Sequence, residues 1–143
     1  MIDRGLVDTN ILVYAYDFSL PSKQKSAVSF LENLVASGRG LLSTQVLSEF
    51  FVCVTRKIPH PLTPREAEKR VANFVQIWPV LPVNEMIVLE AIRGVRSHKF
   101  SYWDGLIWAT ARLNQVGWVY SEDFTHGSMV EGVRFANPLD PKE

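Results

Sequence analysis

Short apolar runs alternate with stretches of helical periodicity along almost the whole chain. The first run, Leu6-Val7, closes on Asp8, and a short helix-like pattern from Ile11 to Tyr16 follows, broken around Leu20-Pro21. Ser22 has the character of an N-cap, with Ala27, Phe30, Leu31, Leu34 and Val35 recurring at helical spacing behind it. Gly38-Arg39-Gly40 stops that helix, and Leu41-Leu42-Ser43 predicts a second strand. Val46, Leu47, Phe50, Phe51 and Val54 form a clearer stripe, with Glu49 at its margin, ended by Pro59 and Pro61.

Thr63-Pro64-Arg65-Glu66 is a capping box with proline at the first helical position, so a new helix starts there. Its expected buried side is Ala67, Val71, Phe74, Val75 and Trp78. Val80-Leu81 is a third strand, which the flanking Pro79 and Pro82 confine to a sheet edge. Asn84 caps a helix with Val88, Ala91, Ile92 and Val95 inward. Ser101 opens another with Trp103, Leu106, Ile107, Thr110 and Ala111 on one face. Gly117 ends it, Trp118-Val119-Tyr120-Ser121 is a fourth strand and Val133-Arg134-Phe135 a fifth. Strands alternating with helices predict one α/β domain, a three-layer sandwich around a parallel sheet. That domain takes in residues 1–137, and Pro138 and Pro141 make 138–143 a tail.

Composition narrows the function. A chain of 143 residues with 47% hydrophobic and 21% charged residues has the make-up of a soluble globular domain. Fifteen basic and fifteen acidic residues cancel, so nucleic-acid contact must come from local patches rather than from net charge. The single cysteine, Cys53, excludes an internal disulfide and a cysteine-based zinc site, and its apolar neighbours point to packing. No run approaches the roughly 20 apolar residues of a membrane span. Asp3, Arg4 and Asp8 spoil a signal-peptide pattern, so the expected location is cytoplasmic.

Four carboxylates stand where such a fold concentrates ligands, outside the carboxyl ends of the strands. Asp8 ends the first strand, Asp123 follows the fourth, Asp104 lies in the first turn of a helix, and Glu49 flanks another. Each has an ordinary structural role open to it. Asp8 suits an N-cap, Asp104 a capping box with Ser101, Glu49 a solvated flank and Asp123 a turn. Taken singly, those roles are the commoner ones. Taken together, grouped carboxylates repel one another and call for a cation. An all-oxygen donor set suits Mg²⁺ or Mn²⁺ rather than zinc, and such ions hold phosphate oxygens and activate water.

Asp8-Thr9-Asn10, Ser48-Glu49-Phe50, Tyr102-Trp103-Asp104-Gly105-Leu106-Ile107 into Ala109-Thr110-Ala111, and Ser121-Glu122-Asp123-Phe124 occur in that order. Over nearly its whole length the chain resembles the PIN-domain ribonucleases, and among them the VapC-like toxins of toxin–antitoxin pairs. The resemblance implies a five-stranded parallel sheet in order 3-2-1-4-5 and Mg²⁺- or Mn²⁺-dependent cleavage of RNA. It makes Asp8, Glu49, Asp104 and Asp123 the catalytic acids, with Asp8, Asp104 and Asp123 on the metal. Asn10 and Ser121 become supporting polar positions, Ser121 keeping a hydroxyl where many members carry threonine. Glu122 matches no motif position and is expected at the surface. The resemblance also implies a cognate antitoxin protein and a homodimer.

Two basic clusters compete for the RNA: Arg56, Lys57, His60, Arg65, Lys69 and Arg70, and Arg93, Arg96, His98 and Lys99. The second leads directly into the helix of Asp104, so Arg93, Arg96 and Lys99 are the expected RNA contacts. The surplus of apolar side chains around Phe50, Phe51 and Phe74 places the expected dimer surface there. Two other functions compete. Haloacid-dehalogenase-like phosphatases also end their first strand in aspartate but carry a second one two residues on, where this chain has Asn10. A non-catalytic PIN-like module binding RNA or a partner would not need all four acids.

Overall fold

At the centre of the sheet lies β1 (Gly5–Val7), buried throughout because both its edges are paired. It runs parallel to β2 (Gly40–Ser43) on one side and β4 (Trp118–Tyr120) on the other, with Leu6 opposite Leu41 and Val119. The computed structural model describes residues 2–139.

From β1 the chain passes through α1 (Thr9–Tyr14) and α2 (Pro21–Ser37) to β2, then through α3 (Thr44–Arg56) and α4 (Pro64–Ile77) to β3 (Val80–Leu81). It returns across the sheet by α5 (Glu85–His98) and α6 (Tyr102–Leu113) to β4, and ends in β5 (Met129–Val130) and β6 (Val133–Ala136). The strand order is β3-β2-β1-β4-β6-β5. Right-handed crossovers taken in opposite directions put α1–α4 and α5–α6 on opposite faces, which makes three layers. The order reverses between β1 and β4, so that is the switch point where a ligand crevice belongs.

The expected order of five strands is kept, with one strand added at the edge. The segment read as the fifth strand is β6, parallel to β4, and β5 pairs with it antiparallel. Two residues bounded by Gly127 and Gly132, both at positive φ, carry too little alternation to be read as a strand beforehand. β3 sits at the opposite edge, as its prolines required. Leu139 is 3% exposed and belongs to the core, so the packed chain reaches past Pro138; residues 140–143 of the expected tail lie outside the described residues.

The helix starts follow local chemistry. Thr63 and Glu66 close a reciprocal capping box on α4, and Gly38 takes φ +69° to end α2. α2 begins at Pro21, with Leu20 in the N-cap place and no side-chain cap, two residues before the expected N-cap, Ser22. α6 is buried at every position from Gly105 to Ala111, wedged between α5 and the sheet. A Cβ on Gly105 would lie 2.9 Å from the Ala91 carbonyl oxygen, so only glycine allows α5 and α6 this close.

Several inward assignments change. Phe50 and Phe74 pack edge-to-face with each other and with Tyr16 in the core of one chain, while Phe51, the third residue of the expected dimer surface, is exposed. Val75, Ile92 and Trp103 are exposed, and Ile87 takes the inward place on α5. Among the described residues no helix is long and apolar enough to cross a membrane.

Gly40 gives a direct check on the packing of β2. A Cβ there would fall 2.1 Å from Trp78 Cζ3 and 2.9 Å from Leu34 Cγ, both side chains being buried. Gly40→Ala is expected to destabilise the protein by about 1–3 kcal/mol in urea denaturation. An unchanged midpoint would mean that Trp78 does not close over β2.

Candidate active site

Where β1 ends, Asp8 leaves the sheet and caps α1, its Oδ1 accepting from the Thr9 N–H at 2.7 Å. Its other oxygen, Oδ2, accepts from the Ser121 hydroxyl at 2.7 Å, because parallel pairing of β1 with β4 brings both strand ends level. Ser121 Oγ in turn accepts from the Asp123 N–H at 3.0 Å and from Asn10 Nδ2 at 3.3 Å. Asn10 Oδ1 accepts from the Glu122 N–H at 3.3 Å. Both ends of the Asn10 amide are thus used to join α1 to the exit of β4. Phe124 stacks on Phe135 with centroids 4.1 Å apart, which anchors the loop that carries Asp123.

Asp8, Glu49, Asp104 and Asp123 line one cleft of about 730 Å³ at this switch point. They arrive from four different segments: the end of β1, the middle of α3, the first turn of α6 and the exit of β4. The Thr9 hydroxyl donates to Glu49 Oε1 at 2.7 Å and so aims that side chain from across the cleft. At α6 the Ser101 hydroxyl, not the Asp104 carboxylate, caps the helix by accepting from the Asp104 N–H at 3.1 Å. No reciprocal capping box closes here, and the Ser101 hydroxyl beside the Asp104 carboxylate acts on it by opposing the rise in its pKa.

The acids alter one another. Asp8 is 5% exposed, and its pKa is pushed up to about 7. Burial is the largest cause, opposed by the bonds from Ser121 and Thr9 and reinforced by the Asp123 and Glu49 charges. Asp104 is also raised, first by burial and then by the Asp123 charge. Two carboxylates held above their ordinary range beside two more make a site whose field attracts cations. The donors are all oxygens, which fits Mg²⁺ or Mn²⁺. Among the described residues, no three His, Cys, Asp or Glu side chains are gathered closely enough to hold an ion as they stand. Binding one therefore requires a rotamer change, for which Asp123, exposed, and Glu49, half-buried on a long side chain, have the freedom.

The expected RNA contacts are not at this cleft. Arg93 is held by Glu90 at 2.7 Å and Glu131 at 2.9 Å and lies over the Trp108 ring, in a network that ties α5 to the β5–β6 turn. Arg96 and Lys99 are exposed, and none of the three lines the cleft. Lys57, from the cluster ranked second on sequence, does line it. Glu122, expected at the surface, accepts from the Tyr14 hydroxyl and pairs with Lys23 at 2.9 Å. Cys53 lines the cleft too, with its thiol pKa raised by burial, which leaves it a poor nucleophile. Sequence reasoning missed Thr9, Gln45 and Trp103. Thr9 had a signal, as a hydroxyl beside Asp8 on the strand exit; Gln45 had none, because its bond to the Trp103 carbonyl spans 58 residues.

Fold and cleft together define an open-sheet α/β protein with an acidic crevice at its switch point. A family model for the PIN domain matches residues 5–126, and the chain belongs to that family. No curated protein matches the sequence. Solved structures share the fold across nearly the whole chain. One, a toxin–antitoxin complex from Klebsiella pneumoniae, has a TM-score of 0.68 at 19% identity, covering 95% of this chain and 98% of that one. Another is VapC20 of Mycobacterium tuberculosis, a sarcin–ricin loop cleaving toxin, with a TM-score of 0.65 at 19% identity, covering 88% and 96%. DNA-bound VapBC from Salmonella typhimurium gives 0.68 at 16% identity, covering 96% and 100%.

Proposed function

We propose that this protein is a Mg²⁺- or Mn²⁺-dependent endoribonuclease acting in the cytoplasm as the toxin of a toxin–antitoxin pair. The observation that carries the reading is the convergence of Asp8, Glu49, Asp104 and Asp123, from four chain segments, on one cleft. The family and the toxin structures that share the fold support it.

In this reading Asp8, Asp104 and Asp123 hold the ion. When bound there, the ion neutralises phosphate charge and lowers the pKa of water. Glu49, aimed by Thr9 through Oε1, keeps Oε2 to accept a proton from the attacking water. Ser121 and Asn10 fix Asp8 and the Asp123 backbone, so the two strand ends move as a unit. Lys57 offers the cation that draws the RNA backbone past four negative charges. An antitoxin is the partner that the toxin role requires. The homodimer stays in the proposal, with Phe51 the exposed member of the expected surface.

The test is incubation of the wild type with structured RNA, in Mn²⁺ and in chelator. Cleavage is expected in Mn²⁺ alone. Cleavage that survives chelation removes the metal from the account, and none under either condition removes the ribonuclease.

A further inference from the structure

The four acids and Lys57 handle phosphate, and nothing assigned so far handles a base. At the rim of the same cleft stands Trp103, 61% exposed and adjacent in sequence to Asp104. It is the most exposed of the chain's four tryptophans; Trp78 and Trp108 are buried and Trp118 is half-buried. The Trp103 backbone is held. Its carbonyl accepts from Gln45 Nε2 at 3.0 Å, and Tyr102 meets the ring edge-to-face at 5.2 Å. Gln45 also lines the cleft, is 9% exposed, and carries the single buried side-chain polar atom, Oε1, that lacks a partner among the described residues. Buried acceptors are rarely left unpaired, and one that is calls for a partner such as a water, an ion or a ligand. Here the orphan sits on the residue that pins the tryptophan backbone.

We propose that the Trp103 indole is a stacking platform for a nucleobase of the RNA strand whose backbone lies in the acidic cleft. The inference rests on the ribonuclease reading and adds to it the contact that holds the base beside the reacting phosphate. A single-stranded nucleic acid is bound by pairing a charged track for the backbone with aromatic faces for the bases. Lys57 and an ion held by the acids would supply the first, and Trp103 the second. Stacking tolerates any base, since every base has a π-face, so the platform sets position more than sequence. A rigid aromatic also loses little side-chain entropy on binding, and this one is already braced by Tyr102.

The experiment uses the full chain, Trp103→Ala and Trp103→Phe, with a random-sequence pool of single-stranded oligoribonucleotides in Ca²⁺, an oxygen-seeking ion that offsets the charge of the acidic cleft. Affinity is read by anisotropy of labelled RNA and by tryptophan emission. A Mn²⁺ arm follows cleavage of the same pool by the wild type. Trp103→Ala is expected to weaken binding by about 5- to 150-fold, the range for loss of one stacked base, and Trp103→Phe to restore most of it. RNA should quench wild-type emission and leave that of Trp103→Phe unchanged. If Trp103→Ala does not fold, the emission comparison with Trp103→Phe decides alone. Equal affinity of wild type and Trp103→Ala, no wild-type binding, or emission that RNA leaves untouched overturns the subsite. An exposed indole that ignores RNA then belongs to a protein contact. Failure of the wild type to cleave in Mn²⁺ refutes the ribonuclease reading and is scored separately from the binding result.

Discussion

Asp8→Asn is expected to make the metal-free protein more stable at pH 8, by about 4 kcal/mol, while cutting RNA cleavage by about a hundredfold or more. Burial holds the Asp8 carboxyl near pKa 7 in the folded chain, against an ordinary value of 3.8. A raised pKa means that the folded state prefers the protonated acid. The stability this confers is fully present below about pH 4 and is lost as pH rises through about 7. Above that the fold carries a buried carboxylate pressed by Asp123 and Glu49. Asparagine has nearly the same volume, bears no charge, and is as good an N-cap, so the Thr9 N–H keeps its acceptor. Urea denaturation in chelator should show the wild type losing stability from pH 5 to pH 8 and Asp8→Asn losing much less, since only the Asp104 contribution remains. A wild type that is flat over this window would mean that the Asp8 charge is already compensated without metal. The same charge that strains the metal-free fold is the one an ion requires, so stability and cleavage should move in opposite directions at this residue.

How far the residues themselves announced this arrangement depends on how many partners each one had. Asp8 was legible because a carboxylate closing an apolar run has few reasons to be there. The edge position of β3 was legible because Pro79 and Pro82 remove ladder donors. The cap of α4 was legible because Thr63 and Glu66 satisfy each other locally. Trp103 was not, because α6 from Gly105 to Ala111 is buried all round, so its apolar pattern gives no side. Only its first turn is open to solvent, and periodicity does not record where the burial begins. Phe50 and Phe74 looked like a surplus because their third partner, Tyr16, lies on another segment. Arg93 looked available to RNA for the same reason: Glu131, which holds it, is 38 residues away. Local chemistry could be read from the chain, and pairings across the fold had to be seen.

The claim that most needs a number is that these carboxylates form one ion site. Wild type at a Mn²⁺ concentration a thousandfold above its dissociation constant should gain about 4.1 kcal/mol, since the ion binds the folded state alone. For a chain of this length that is a rise in melting temperature of about 8–16 °C. Asp104→Asn separates the site from helix capping. Ser101 caps α6 through the Asp104 N–H, which the substitution keeps, so the helix start survives. In chelator the variant should be the more stable protein at neutral pH, because Asp104 is held above its ordinary pKa by burial and by Asp123. In Mn²⁺ it should gain little. Scanning calorimetry of both proteins, in chelator and in Mn²⁺, therefore tests the account most directly. The account predicts a large metal-dependent rise for the wild type and a small one for Asp104→Asn. Equal rises, or none in the wild type, with the variant less stable in chelator, would contradict it and return Asp104 to the role of a helix-start residue.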